Sequence, residues 1–221
     1  MTPTVELIDV DGLLPGASNA TLLARDATGR PWVYKPARGE QPLWDFPYGT
    51  LPHREVAAYR LSEALGLGVV PETMLADGPF GLGSAQRFLA EDFDWDPRPS
   101  IQAADPSLWP IAVLDLVANN ADRKIGHLLR EPGSSVIWAI DNGLTFHVDD
   151  KLRTVLWSFA GSPLPADMVE RLDADQVRTA ISDLLSPAET ASTVERVRRI
   201  LSDPVHPLPP RDRPPLPWPL W

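Results

Sequence analysis

The chain has 221 residues, 43% of them hydrophobic and 23% charged, which suits one compact two-lobed domain or two small ones and excludes wholesale disorder. Its net charge of −10 argues against free binding to nucleic acid, because such affinity rests largely on neutralising phosphates. No cysteine is present, which rules out disulfides, zinc–thiolate sites and thiol nucleophiles.

No apolar run approaches the ~20 residues of a membrane helix, so membrane insertion is not expected. The start, MTPTVELIDVDG, lacks a basic segment followed by an apolar core; no signal peptide is expected and a cytoplasmic location is the default.

In chain order, residues 4–10 alternate apolar and polar and read as a strand or ordered lead-in. Residues 11–19 are turn-rich. ATLLARD and PWVYKP flank Gly29 and read as a hairpin. Residues 37–52 hold Gly, Pro and aromatics without a period and read as a loop. From His53 to Leu65, Val56, Ala57, Tyr59, Leu61 and Ala64 have helical spacing, with Gly66 or Gly68 able to end the helix and His53 as an exposed lead-in. VVPETMLAD and GSAQRFLAE read as two further strands. A helix is expected over residues 108–119, then a loop at 119–127, then the short strands HLLR and SVIWAI ending in Asp141-Asn142-Gly143. Helices are expected over 165–172, 174–185 and 187–202. Twenty-five prolines concentrate in residues 97–110 and from 204 onward. The tail PLPPRDRPPLPWPLW cannot be helical and reads as polyproline-like, either a ligand for a proline-recognition partner or a segment docked on its own domain or left mobile. The eight tryptophans read as core and tail anchors.

Four features carry chemistry, each with a reason in phosphoryl transfer. The turn-rich link at 15–19 lies between candidate strands, with Ser18 and Asn19 as candidate nucleotide-binding residues. Lys35 sits in a strand, where it can neutralise phosphate charge, and Glu55, early in the next helix, can hold it extended. Asp122 can accept the proton of an attacking hydroxyl, and Lys124 can stabilise charge on the transferred group. His127, five residues after Asp122, and Asp141 can hold a metal. Each has a plainer reading as well: Lys35 a surface lysine, Glu55 an acid favouring the helix dipole, Asp122 a turn cap, His127 a hydrogen-bonded strand residue, Asp141-Asn-Gly a hairpin turn. His147 reads as structural. Arg123, Lys124, Lys151 and Arg153 are candidates for a local basic groove near a phosphate substrate.

The stretch YKP…HREVAAYRLSEALGLGVVP resembles the N-lobe of the phosphatidylinositol 3- and 4-kinase family, especially the type II 4-kinases and relatives such as the HipA-like toxin kinases. NNADRKIGHLL resembles that family's catalytic loop and AIDNG its metal motif, with order and spacing intact over residues 12–160. The resemblance implies an α+β, two-lobed protein-kinase-like fold, with an antiparallel-sheet N-lobe at 1–92, a mostly helical C-lobe at 93–203 and a tail at 204–221. It implies ATP with Mg²⁺ or Mn²⁺. Lys35 would contact the nucleotide phosphates and pair with Glu55; Asp122 would be the base; Asp141 would be the main metal ligand. Gln86, Phe88 and Leu89 would lead into the hinge that holds adenine. His127 stands where the family has asparagine. Imidazole suits softer metals than magnesium, so manganese, a single metal or a water-bridged magnesium is expected. The glycine loop keeps only Gly16, and the segment after Asp141 is short, which disfavours a lipid acceptor. The implied activity is transfer of the γ-phosphoryl group of ATP to a hydroxyl of a protein or small molecule. The alternatives are a nucleotide-binding module without catalysis, a nucleotidyl transferase on the same fold, and a scaffold acting through the tail.

Overall fold

The computed structural model describes residues 4–14 and 20–221. Five strands come from the N-terminal part: β1 (Thr4–Leu13), β2 (Leu22–Asp26), β3 (Pro31–Pro36), β4 (Thr73–Gly78) and β5 (Gly81–Arg87). They close into a barrel in the order β1-β2-β3-β5-β4. This corrects the expected antiparallel sheet. The lead-in at 4–10 is a full strand that pairs antiparallel with β2 and parallel with β4 (Thr4 with Leu75, Glu6 with Asp77), and that parallel pairing closes the ring. Period-2 burial follows: along β3, Trp32 and Tyr34 fill the barrel with Leu7, Leu22, Ala24, Ala76 and Ala85, while Val33 and Lys35 face the other way. Trp32 donates its indole N–H to Asp26 Oδ2 at 2.9 Å, so the barrel's largest side chain is satisfied at its rim.

One glycine is required by close approach. A Cβ on Gly83 would lie 2.4 Å from the Lys35 carbonyl oxygen and 2.7 Å from Pro36 Cα, so only glycine lets β5 run this close behind Lys35.

Between β3 and β4 lies α1 (Leu51–Ala64), which packs against barrel strands on one side and helices on the other. It begins two residues earlier than expected, with Pro52 in its first turn, so His53 is a half-buried helix residue rather than an exposed lead-in. Burial almost all round explains why its apolar spacing is diffuse: Arg54, Glu55 and Ser62 are buried beside Val56, Ala57 and Leu61.

The remainder is mainly helical: α2 (Arg98–Gln102), α3 (Trp109–Ala118), a two-stranded sheet of β6 (Leu128–Arg130) and β7 (Ile137–Ala139), then α4 (Ala166–Val169), α5 (Ala174–Ile181) and α6 (Pro187–Ser202). The expected helices over 165–172 and 174–185 are shorter than read. α5 starts on an Asp173 cap and α6 on a Ser186/Glu189 capping box. One apolar core joins α1, α3, α5 and α6, so α1 shares its interior with the helical part while the barrel keeps a small core of its own.

The tail lies against its own domain, as one of the expected alternatives had it. His206 is buried against Trp109, Trp157 and Phe159, and its backbone exchanges hydrogen bonds with Gly161 and Ser162. Further on, Leu220 O accepts from Ile125 N at 2.9 Å. Among the tryptophans, Trp32 is core, whereas Trp44 and Trp218 are 91% and 89% exposed, Trp44 lying under the Lys151 ammonium at 4.8 Å.

Candidate active site

α3 ends at Asn119, whose left-handed backbone (φ 53°) reverses the chain. Asn119 Nδ2 donates to the carbonyls of His147 and Asp149, and its Oδ1 accepts from Lys151 N, which fixes the start of the loop that carries Asp122. One residue on, Asn120 Oδ1 accepts from Asp122 N at 2.9 Å. Asp122 is half-buried and its carboxylate meets Lys124 Nζ at 3.2 Å. Burial pushes the Asp122 carboxyl up to about 6, against the opposing pull of Lys124.

His127 ends a single 3₁₀ turn (Ile125–His127) rather than starting the strand HLLR; the turn's first N–H is spent on the tail. Burial pushes its imidazole down to about 4, so it is neutral near pH 7. Its Nε2 lies 3.2 Å from Asp141 Oδ2.

Asp141 follows β7 with φ 56°, a left-handed residue outside any hairpin, so the plain hairpin-turn reading does not hold. Its other oxygen, Oδ1, is 2.9 Å from Lys35 Nζ. Lys35 Nζ also meets Glu55 Oε1 at 2.5 Å. Burial works against both charges, yet mutual attraction, with Glu55 and His127 contributing, holds the Lys35 ammonium above and the Asp141 carboxyl well below their ordinary ranges. Glu55 is buried and fully used: its second oxygen accepts from Asn142 N at 2.9 Å.

Beneath these loops runs a buried network that was not read from the sequence. Asp115, on α3, accepts from Arg123 Nε and Nη2 (3.1 and 3.0 Å), from Asn120 Nδ2 (3.0 Å) and from Thr154 Oγ1 (3.2 Å). The same guanidinium donates to Ile140 O at 2.7 Å and to Asn142 Oδ1 at 2.6 Å. A continuous chain of polar contacts therefore runs from Asp122 N through Asn120, Asp115, Arg123, Asn142 and Glu55 to Lys35 and Asp141. Arg123 is wholly inside the protein, which removes it from the expected basic groove, and Lys151 is paired with Asp45 at 2.8 Å.

The structure thus brings Lys35, Glu55, His127 and Asp141 into one contact set, with Asp122 and Lys124 on the adjoining loop. The expected hinge residues lie apart from that set. Gln86 is buried and donates to Thr73 Oγ1 at 3.0 Å; Phe88 and Leu89 follow the end of β5, Phe88 half-exposed and Leu89 buried. Ser18 and Asn19 lie outside the described residues. His147 is structural: Nδ1 accepts from Asp149 N and the ring packs on Phe46.

A metal here would have Asp141 and His127 as protein ligands. Among the described residues no group of three His, Asp or Glu side chains stands together to hold one. One carboxylate and a neutral imidazole fit a divalent ion that takes its remaining ligands from phosphates and water, and the nitrogen donor suits manganese better than magnesium.

No family model matches the chain. Several solved kinase structures share its fold. The Helicobacter pylori proinflammatory kinase CtkA superposes with a TM-score of 0.59 at 13% identity, over 92% of this chain and 95% of that one. The Golgi casein kinase with Mn/ADP bound gives 0.57 at 14% identity, over 91% and 72%. Hydra Fam20 with sugar gives 0.57 at 11%, over 91% and 84%. These likenesses establish a mixed α/β fold similar to that of atypical kinases, with a strand-rich N-terminal region and a helical remainder. Among curated sequences, protein Rv2133c of Mycobacterium tuberculosis (strain ATCC 25618 / H37Rv) is 36% identical over 256 aligned positions, which span 96% of this chain and 91% of that protein. At that identity over nearly the whole of both sequences, the chain belongs to the same family as Rv2133c.

Proposed function

We propose that the protein is an ATP-dependent phosphotransferase of atypical kinase-like fold that moves the γ-phosphoryl group to a hydroxyl of a protein or small molecule. The observation that carries this reading is the bridge made by Lys35, bound to Glu55 on α1 and to Asp141 after β7, with Asp122 on the next loop. The barrel, roughly residues 1–92, is the nucleotide side, and residues 93–203 supply the catalytic loop. Kinship with the phosphatidylinositol 3- and 4-kinase-like proteins rests on the sequence motifs.

Asp122 takes the proton of the acceptor hydroxyl as its oxygen bonds to phosphorus and the bond to the ADP oxygen breaks. A carboxyl near 6 is ionised at neutral pH yet basic enough for that task. Lys124, held at Asp122, faces charge on the transferring group. Lys35 neutralises phosphate charge, and Glu55 keeps it extended. When bound, a divalent ion at Asp141 and His127 supplies charge neutralisation on the phosphates. Gln86, Phe88, Leu89, Ser18 and Asn19 remain the candidates for the rest of the nucleotide contact.

The test is ATP turnover and acceptor labelling by purified protein with Mn²⁺ or Mg²⁺. Asp122→Asn should lose it while retaining the thermal shift given by ATP. Absence of labelling, with no difference between wild type and variant, overturns the reading. Product mass separates phosphoryl from adenylyl transfer. One observation favours a second reading, a catalytically impaired nucleotide-binding module: the absence of a three-ligand metal cluster among the described residues. That module would show the ATP shift without turnover.

A further inference from the structure

Of the four cations that the sequence offers as a basic groove, three are consumed inside the protein: Arg123 by Asp115, Lys124 by Asp122 and Lys151 by Asp45. Arg153 is not. Among the described residues its side chain has no hydrogen-bond or ion-pair partner, and its Nε is buried without an acceptor. Arg213, in the tail, is in the same condition. Both residues are half-buried, so their stems are held by packing rather than waving in solvent.

The backbone brings these two arginines to one side of the catalytic loop. Arg153 N donates to Asn120 O at 2.9 Å and Arg123 N to Arg153 O at 3.0 Å, which lays Arg153 along the segment that leads into Asp122. The next residue, Thr154, donates its N–H to Pro215 O at 3.3 Å, and Trp157 Nε1 donates to the same carbonyl at 2.8 Å. Residues 213–215 of the tail therefore run beside residues 153–157. Further along, the tail reaches Ile125 and lies over Gly126, with Trp221 against them. The end of the tail meets the catalytic loop at Ile125 and Gly126.

Buried donors without acceptors are uncommon in folded proteins. Here they occur on two arginines whose segments meet at the Thr154–Pro215 hydrogen bond, and among the described residues neither has an acidic partner. Guanidinium forks match the oxygens of phosphate, and two of them balance a dianion, whereas a single carboxylate would balance only one.

We propose that Arg153 and Arg213 form an anion subsite beside the catalytic loop that takes a phosphomonoester group carried by a soluble acceptor. The word acceptor rests on the phosphotransferase reading; the anion subsite itself does not. The tail, on this account, is one wall of the site.

The test is titration of the full chain with inorganic phosphate, by calorimetry, in wild type, Arg153→Gln, Arg213→Gln and the double variant. Both residues are unpaired, so the glutamine variants should unfold as wild type does in urea. A lysine pair at the two positions checks that charge, and not only shape, is read. Phosphate is expected to bind wild type at least tenfold more tightly than acetate does, with at least a tenfold rise in Kd in the double variant and an intermediate one for the lysines. The ATP–Mn²⁺ thermal shift should be the same in all. Wild type that ignores phosphate, or a double variant that binds it unchanged, overturns the subsite. Loss of the ATP shift in wild type instead overturns the nucleotide reading, and phosphate titration without nucleotide still reads the arginines.

Discussion

Arg123 donates to Asn142 Oδ1 at 2.6 Å and to Ile140 O at 2.7 Å, and these two bonds help fasten the loop that carries Asp122 to the segment that carries Asp141. The guanidinium is fully buried and its charge is met by Asp115, also buried. Breaking such a pair leaves an uncompensated charge, at a cost of ~3–5 kcal/mol. Arg123→Met alone and Asp115→Leu alone should each lower the urea midpoint by that order, and the double replacement should recover much of the loss. Singles that unfold like wild type would show that the pair does not hold the loops.

With Asp122 as the proposed base, the phosphotransferase reading carries a pH dependence. With its carboxyl raised to about 6, the ionised base is present above that value and is lost as pH falls through it. The acid limb of kcat/KM should bend near pH 6 and then drop about tenfold per unit. Asp122→Asn should lower kcat by ~10²–10⁴-fold and remove the limb. A bend at the ordinary aspartate value near 4 would mean that Asp122 is not the titrating group.

On the proposed reading, His127 is the residue that sets the choice of metal. Its replacement by asparagine substitutes an oxygen for a nitrogen donor, so the variant should gain activity with Mg²⁺ relative to Mn²⁺. The ratio of initial rates with the two ions is the measurement; an unchanged ratio would remove His127 from the metal's surroundings.

Glu55 serves two partners, so Glu55→Gln should weaken both. Lys35 keeps Asp141 as its only carboxylate, and the buried hydrogen bond from Asn142 N becomes weaker. A destabilisation of ~1–3 kcal/mol is expected, with a raised KM for ATP. Gly83→Ala tests the same lysine from behind. A Cβ at 2.4 Å from the Lys35 carbonyl forces β5 and β3 apart, so the ATP-induced thermal shift should shrink although Gly83 meets Lys35 only at its backbone.

Much of this was legible in the sequence, and the reasons for the rest are physical. Lys35, Glu55 and Asp141 were readable because strand and helix periods put them on facing surfaces, and the structure joins them. The closure of the barrel was not, because it depends on a parallel pairing between β1 and β4 some seventy residues apart in sequence, which local alternation does not encode. Asp115 lies within an apolar helix and is not among the candidate residues that the sequence offers. Yet an acid within Ile111–Ala118 is itself a signal, since a charge on a buried face requires a partner. Arg123 was read as groove lining because its sequence neighbours are solvated; only the fold turns it inward. For the tail, docking on its own domain is among the readings; the prolines exclude helix but do not say which surface an extended segment lies against.

The ring of strands has a consequence for how an acceptor can be held. A sheet with a free rim can recruit a peptide by adding it as one more strand, with main-chain hydrogen bonds supplying most of the grip. In this barrel β1 and β4, which would otherwise be the outer strands, spend their backbone groups on each other. On the phosphotransferase reading, an acceptor on that half of the molecule is therefore held by its chemical groups rather than added as a further strand between β1 and β4.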